Sequence, residues 1–197
     1  MAAISPILSK MEKKKVISTT VIHAGFSGRP ATEAFRGPLL HLGSTRGNRA
    51  HQTAAIMEKF EMIVHEGRPD LIVIVGGGNA ALAGGLVGVK MNIPLARLGA
   101  GLRSQNRGKP EEINGLVADH VSTLLFAPGR AESAILAGEG IDTGKIHIVG
   151  RNATGGGAKK TGYVESTSAA GIVDTMEKFL LRALKPGRHE KKSLSAL

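Results

Sequence analysis

Glu111 and Glu112, a run of glycines and Arg103 set the chemical possibilities of this 197-residue chain. The two carboxylates follow Pro110, which suits a first helical position, so both fall in a first helical turn. Glu111 there reads either as a proton-transfer group or as an acid matched to the helix dipole. Gly76-Gly77-Gly78 reads either as a phosphate cradle of backbone amides or as a plain tight turn. Asn79, next in line, can cap the following helix. Gly99-Ala100-Gly101 is a weak echo of a dinucleotide fingerprint, and no strand-end acid follows at the spacing a ribose would need. Arg103 can pair with a phosphate or carboxylate. The candidates are therefore Glu111 for catalysis, and Gly76, Asn79, Gly101, Arg103 and Glu112 for substrate binding. Seven histidines show no metal-ligand spacing, and the lack of cysteine excludes thiolate metal sites, disulfides and a cysteine nucleophile.

These residues are positioned by one stretch, Pro69 to Arg103. Leu71–Val75 is an unbroken apolar run, as expected of a strand buried on both faces. The glycine turn, a helix from Ala80 to Met91 and a strand from Pro94 to Leu98 complete a βαβ unit. Gly84, Gly85 and Gly88 inside that helix read either as close approach to a sheet or another helix or as an unoptimised sequence. Ligands of open parallel sheets bind beyond the carboxyl ends of the strands. Two such ends lie here, at Gly76–Asn79 and Gly99–Arg103.

Upstream, Val16–His23 reads as a strand, Ala24–Pro38 as loop and Leu39–Leu42 as a short strand or turn. Asn48 caps a helix from Arg49 to Glu66 with a stripe of Thr53, Ile56, Phe60, Ile63 and Val64. Gly67 supplies the left-handed residue that ends it. Downstream come a polar loop to Lys109, a helix to His120, a strand at Thr123–Ala127, a helix at Arg130–Ala137 and a strand at Lys145–Val149. Strands alternating with helices predict an α/β, doubly wound parallel sheet of Rossmann-like type. We divide the chain into a basic flexible N-terminus (1–15), an α/β domain (16–150) and a basic linker with an amphipathic helix and tail (151–197). That helix carries Ile172, Val173, Met176, Phe179, Leu180 and Leu184. The residues after it are expected to fray.

Eight of the ten excess positive charges sit in residues 1–15 and 151–197. Basic ends can bind polyanions weakly, but with 3% aromatic residues there is nothing to stack bases, which argues against nucleic acid. No apolar run reaches membrane-spanning length. The apolar part of the N-terminus precedes its lysines, the reverse of a secretory signal. A cytoplasmic protein is expected.

Four segments carry a more specific message: NRAHQTAAIMEKFE, GRPDLIVIVGGGNAALAGGLVGVKMNIPLARLGAGLRS, KPEEINGLVADHVSTLLFA and GIDTGKIHIVG. In this order and spacing, over roughly residues 40–150, they resemble the N-terminal domain of the non-hydrolysing UDP-N-acetylglucosamine 2-epimerases. The resemblance implies one half of a GT-B fold, a UDP-sugar in an interdomain cleft, and interconversion of UDP-GlcNAc and UDP-ManNAc. The chemistry implied is elimination of UDP across C1–C2 and re-addition, with no metal or nicotinamide, in enzymes of cell-surface polysaccharide synthesis. The family's glycine-aspartate turn falls on Gly76-Gly77, its histidine on Arg97, its glutamate on Gly99, and the arginine after its asparagine on Gly115. Glu111 retains the catalytic position. The family's opening strand and its second domain find no counterpart in the sequence. A truncated copy with substituted catalytic positions, partial or inactive as it stands, is therefore expected. Its partners would be a UDP-sugar, and a homo-oligomer or a separate second-domain partner.

Overall fold

The computed structural model describes residues 4–14, 16–24, 35–43, 46–104, 106, 108–150, 169–183 and 192–196. Within them lie α1 (Ser5–Glu12), β1 (Ile17–Ala24), β2 (Leu39–Gly43), α2 (Arg49–Gly67), β3 (Leu71–Val75), α3 (Asn79–Lys90) and β4 (Leu95–Leu98). There follow α4 (Pro110–Val121), β5 (Leu124–Ala127), α5 (Arg130–Gly138), a 3-10 turn (Thr143–Lys145), β6 (Ile146–Ile148), α6 (Ala169–Ala183) and β7 (Lys192–Ala196). The strands form one sheet in the order β2-β1-β7-β3-β4-β5-β6, and every pairing is parallel. The Rossmann-like α/β reading holds.

β3 shows why its apolar run is continuous. Successive side chains point to opposite faces of a strand. Leu71 and Val73 pack into the core beneath α1 and α6, with Ala96, Leu98 and Phe126. Ile72 and Ile74 pack into the core beneath α2, α3 and α4, with Phe60, Val64, Val87 and Leu95. Both faces are covered, so neither can be polar.

Two of the glycines of α3, Gly85 and Gly88, are explained, one on each side. A Cβ at Gly88 would lie 2.4 Å from Leu95 Cδ2, against the sheet, and one at Gly85 would lie 3.2 Å from Val121 Cγ2, against α4.

Several expectations are corrected. The N-terminal segment is not a flexible basic tail through Glu12. Pro6 opens α1, and Ile7, Leu8 and Met11 are each 1% exposed. They pack on Ile172, Val173, Met176 and Leu180, the apolar stripe of α6. Lys14 then pairs with Asp174 at 2.8 Å and Glu177 at 2.7 Å. These hydrogen bonds, Asp174's first and Glu177's second, push the Lys14 amine up to about 12, and hold Asp174 below the usual carboxylate range. The stripe of α6 is thus spent on the chain's own core; Leu184 lies outside the described residues.

Gly67 remains inside α2, and Arg68 takes the left-handed conformation, φ 40°, with its N–H on Val64 O. Arg68 precedes Pro69, whose ring disfavours the right-handed helical region at the residue before it. Asn48 caps α2 as expected, its side chain accepting from His51 N at 2.9 Å. The tail does not fray throughout: Lys192–Ala196 enters the sheet between β1 and β3. The expected linker Asn152–Thr161 lies outside the described residues, as do 25–34 of the early loop.

If α1 is core rather than tail, Leu8→Ala should cost about 2–5 kcal/mol, the range for a buried large-to-small change. Urea unfolding measures it; a cost below about 0.5 kcal/mol, the surface value, would contradict the packing.

Burial lowers the imidazole pKa of His147, tilted against Phe126, and of His23, where His41 adds to the effect. Such groups bind more protons when unfolded, so their stability is present above the ordinary value of about 6.5 and is lost as pH falls below it. The unfolding midpoint in urea should fall between pH 7 and 5, and His147→Gln should flatten that dependence.

Candidate active site at the strand tips

β3 and β4 pair in register to Val75 and Leu98, so their tips lie side by side. Strand order advances one way through β3, β4, β5 and β6, and the other way from β1 to β2. The reversal falls at β7, between β1 and β3, where open α/β sheets hold ligands.

At the β3 tip, Gly76 adopts φ +84°, a conformation that favours glycine. A Cβ at Gly77 would sit 3.2 Å from Glu111 O and 3.7 Å from Glu111 Cβ. Position 77 therefore faces the first turn of α4. The N-cap of α3 is Gly78, not Asn79, and no side chain caps the helix. Asn79 serves otherwise. Its amide donates to Gln52 Oε1 on α2 at 3.1 Å, and its Oδ1 accepts from Asn114 Nδ2 at 3.4 Å. Asn114 also donates to Gly77 O at 3.2 Å. This row of amides ties α2, α3 and α4 to the glycine turn. Sequence reasoning gave neither Gln52 nor Asn114 a role; the signals for Asn114 were its place one turn after Glu111, on the same face, and the family asparagine that falls there.

At the β4 tip, Gly99 and Gly101 adopt φ +75° and +78°. A Cβ at Gly101 would fall 2.4 Å from the backbone oxygen of Glu132, so no other residue fits without movement of the chain. Gly101 N donates to Asp119 Oδ2 at 3.0 Å. The same oxygen accepts from Arg103 Nη1 at 2.7 Å, while Asp119 Oδ1 lies 3.3 Å from Arg97 Nε. Arg103 closes a second pair with Glu139, through Nη2 at 2.6 Å and Nε at 2.9 Å.

Asp119, with no side-chain exposure, thus gathers two guanidinium groups and one amide. Burial disfavours the charged Arg103, but the hydrogen bonds and charges of Glu139 and Asp119 outweigh it and raise its pKa. Burial lowers that of Arg97, against Asp119 and aided by the Arg103 charge. Asp119 and Glu139 could not be found from spacing, because the contacts span 16 and 36 residues.

The remaining candidates occupy the start of α4. Glu112 accepts from Ser104 N at 2.6 Å and Ser104 Oγ at 2.8 Å, fastening Ser104 to the first turn of α4. Glu111 is exposed in the first helical turn. His120 sits at the other end of α4, with its ring nitrogens near Leu116 O and Glu139 O. Among the described residues, no group of three or more His, Asp or Glu is placed to hold a metal ion. A cleft of about 490 Å³ lined by Glu12, Ile17, Thr19, Phe35 and Arg36 lies at the amino end of β1, away from these tips.

A doubly wound parallel sheet with glycine-built tips at its switch point defines a nucleotide-type α/β domain. The family model described as UDP-N-acetylglucosamine 2-epimerase matches residues 9–184. The chain belongs to the UDP-N-acetylglucosamine 2-epimerase family. The Methanocaldococcus jannaschii UDP-N-acetylglucosamine 2-epimerase is 36% identical over 154 residues, 75% of this chain and 42% of that protein. A homolog from Methanococcus maripaludis is 40% identical over 109 residues, 55% of this chain and 30% of that protein. The structure of the M. jannaschii enzyme in complex with UDP-GlcNAc and UDP superposes with a TM-score of 0.66 at 34% identity, over 75% of this chain and 42% of that one. The chain thus spans less than half the length of the relatives it matches.

Removing Asp119 strands the deeply buried Arg97 and leaves Arg103 with Glu139 alone. Breaking such a pair from one side costs about 3–5 kcal/mol. Asp119→Ala should lose that much in urea unfolding. A loss under about 1 kcal/mol, the range of exposed ion pairs, would show that the network does not hold the tip.

Proposed function

We propose that this chain carries the nucleotide-sugar half-site of a UDP-N-acetylglucosamine 2-epimerase, binding a UDP-sugar without epimerising it by itself. The carrying observation is what stands at the two tips. Epimerisation at C2 needs groups that take a proton from one face of the sugar and return it to the other. By resemblance, the family's two acid positions fall on Gly77 and Gly99, which cannot move a proton. Each positioned acid or base is worth about 10²–10⁴ in rate, so the loss of two leaves little turnover. Glu111 keeps its place beside Gly77 and is the one proton-transfer candidate on α4.

Support for binding comes from what the tips retain. The left-handed Gly76 and the side-chain-free N-cap of α3 allow close approach of a phosphate to backbone amides. Asn79, Gly101, Arg103 and Glu112 shape and fasten the surrounding turns. The ligand-bearing unit is residues 16–150, which hold all of these side chains. The M. jannaschii relative, crystallised with UDP-GlcNAc and UDP, supplies the substrate class. A separate second-domain partner, or a homo-oligomer, would complete the cleft. The absence of cysteine suits the reducing cytoplasm, and among the described residues no helix is long and apolar enough to cross a membrane.

Binding and turnover separate cleanly in the test. In D2O with UDP-GlcNAc, mass spectrometry should find no deuterium at C2 and no UDP-ManNAc. Calorimetric titration with UDP should show saturable binding. Deuterium incorporation would refute the loss of catalysis, and the absence of binding heat would refute the half-site.

A further inference from the structure

The row between β1 and β3 is filled by the last described element of the chain. β7 pairs from Ile17↔Lys192 to Val21↔Ala196 on one side, and from Leu71↔Leu194 to Val73↔Ala196 on the other. Its hold is therefore a backbone ladder on both sides, parallel to each neighbour. β7 follows α6, which rests on α1 through Ile172, Val173, Met176 and Leu180 and through the Lys14 pairs to Asp174 and Glu177. Residues 169–183 and 192–196 thus form an arm of one helix and one strand, both seated on elements from the N-terminal half.

We propose that this row is a strand-acceptor site and that it also takes residues 192–196 from a second copy of the chain, giving an arm-exchanged dimer. The proposal is independent of nucleotide binding. The arm is joined to β6 and its following turn through residues 151–168, and those 18 residues reach about 60 Å when extended. A 150-residue domain is only about 40 Å across. Residues 184–191 give the strand a further reach of about 26 Å beyond α6. The arm can therefore seat on its own body or on a neighbouring one. Either way it makes the same ladders, the same apolar contacts and the same ion pairs, so closed monomer and exchanged dimer differ only in connection entropy and concentration. Among occupants from outside the chain, a second copy is favoured because it brings α6 together with the strand, so both seats are filled at once. The exchanged state forms when chains fold together at high concentration, and it persists because leaving requires the whole row to open.

The chain has no cysteine, so placed thiols report the pairing directly. Ser18 is exposed on β1 and stands opposite Ser193. Chains carrying Ser18→Cys and chains carrying Ser193→Cys are refolded together at micromolar and near-millimolar concentration, then oxidised. The expected result is a disulfide heterodimer that rises with concentration and exceeds, by about tenfold or more, a control with Met62→Cys, an exposed position on α2. The Ser18→Cys/Ser193→Cys double variant should give an internal disulfide at low concentration. Heterodimer no higher than the control, with an internal disulfide in the double variant at every concentration, would overturn the exchange. No disulfide in either experiment would overturn the placement of the tail in the row. Both serines are replaced by a near-isostere, and parent chains refolded in parallel and read by sedimentation check that association does not depend on the thiols.

Discussion

A parallel sheet covered on both faces cannot spare a row. If β7 were withdrawn, β1 and β3 would face each other about 9.6 Å apart, two strand spacings. The N–H and C=O groups that now meet β7 would lose their partners. An unsatisfied buried backbone group costs about 1–3 kcal/mol. This constraint explains how a short, serine-rich segment holds a central position. Its seat is recognised by the backbone of strands whose outer faces are already filled by Val21, Leu71 and Val73. The same constraint ties the ends of the chain together. α1 and α6 cover the face under that row, so the segment expected as a basic tail and the segment expected as an appendage close one core.

A second constraint acts at the β4 tip. Gly101 N, Arg103 and Arg97 all converge on Asp119 from α4, and Arg103 continues to Glu139 at the end of α5. Removing charges from water is costly, and the attraction between them repays that cost only when the geometry is good and the remaining hydrogen-bonding positions are used. Here Asp119 Oδ2 takes Arg103 and a backbone amide, whereas Oδ1 lies 3.3 Å from Arg97 Nε with no hydrogen bond between them. The network therefore contributes less to net stability than to shape. It fixes where the left-handed turn at 99–101 sits relative to α4, and hence where the two tips face each other. Arg103 is committed to this work, with three of its donors on carboxylates and one on Leu102 O.

What could be read from the sequence follows from range. β3, with its five apolar residues, and α2, with its cap at Asn48, were legible because their signals lie within one element. So was the βαβ unit around Gly76–Gly78, and from it the strand tips that carry the candidate residues. Terminations were less legible. Arg68 rather than Gly67 turns the chain out of α2, because the following proline matters as much as glycine's freedom. Asn79 looked like a cap because its type is right, yet its amide answers to Gln52 and Asn114, which are distant in sequence. α1 and β7 were misjudged for one reason: each is short and flanked by lysines, and its worth comes from elements more than 100 residues away. The Asp119 network was invisible because its contacts join separate elements, 16 to 36 residues apart.

The two glycines at the tips also bear on how catalytic function and fold stability trade against each other here. By resemblance, position 99 is where the family holds a glutamate and position 77 an aspartate. At 99 the backbone is at φ +75°, which costs a residue with a Cβ about 1–2 kcal/mol. At 77 a Cβ would press to 3.2 Å on the Glu111 carbonyl, tighter than ordinary van der Waals contact. A carboxylate at either place is held against local strain or crowding, as is common where chemistry is done. Glycine removes the proton carrier and the strain together. On the proposed reading, a fold that no longer has to hold these carboxylates is relieved of that strain, which fits a scaffold still intact around the tips.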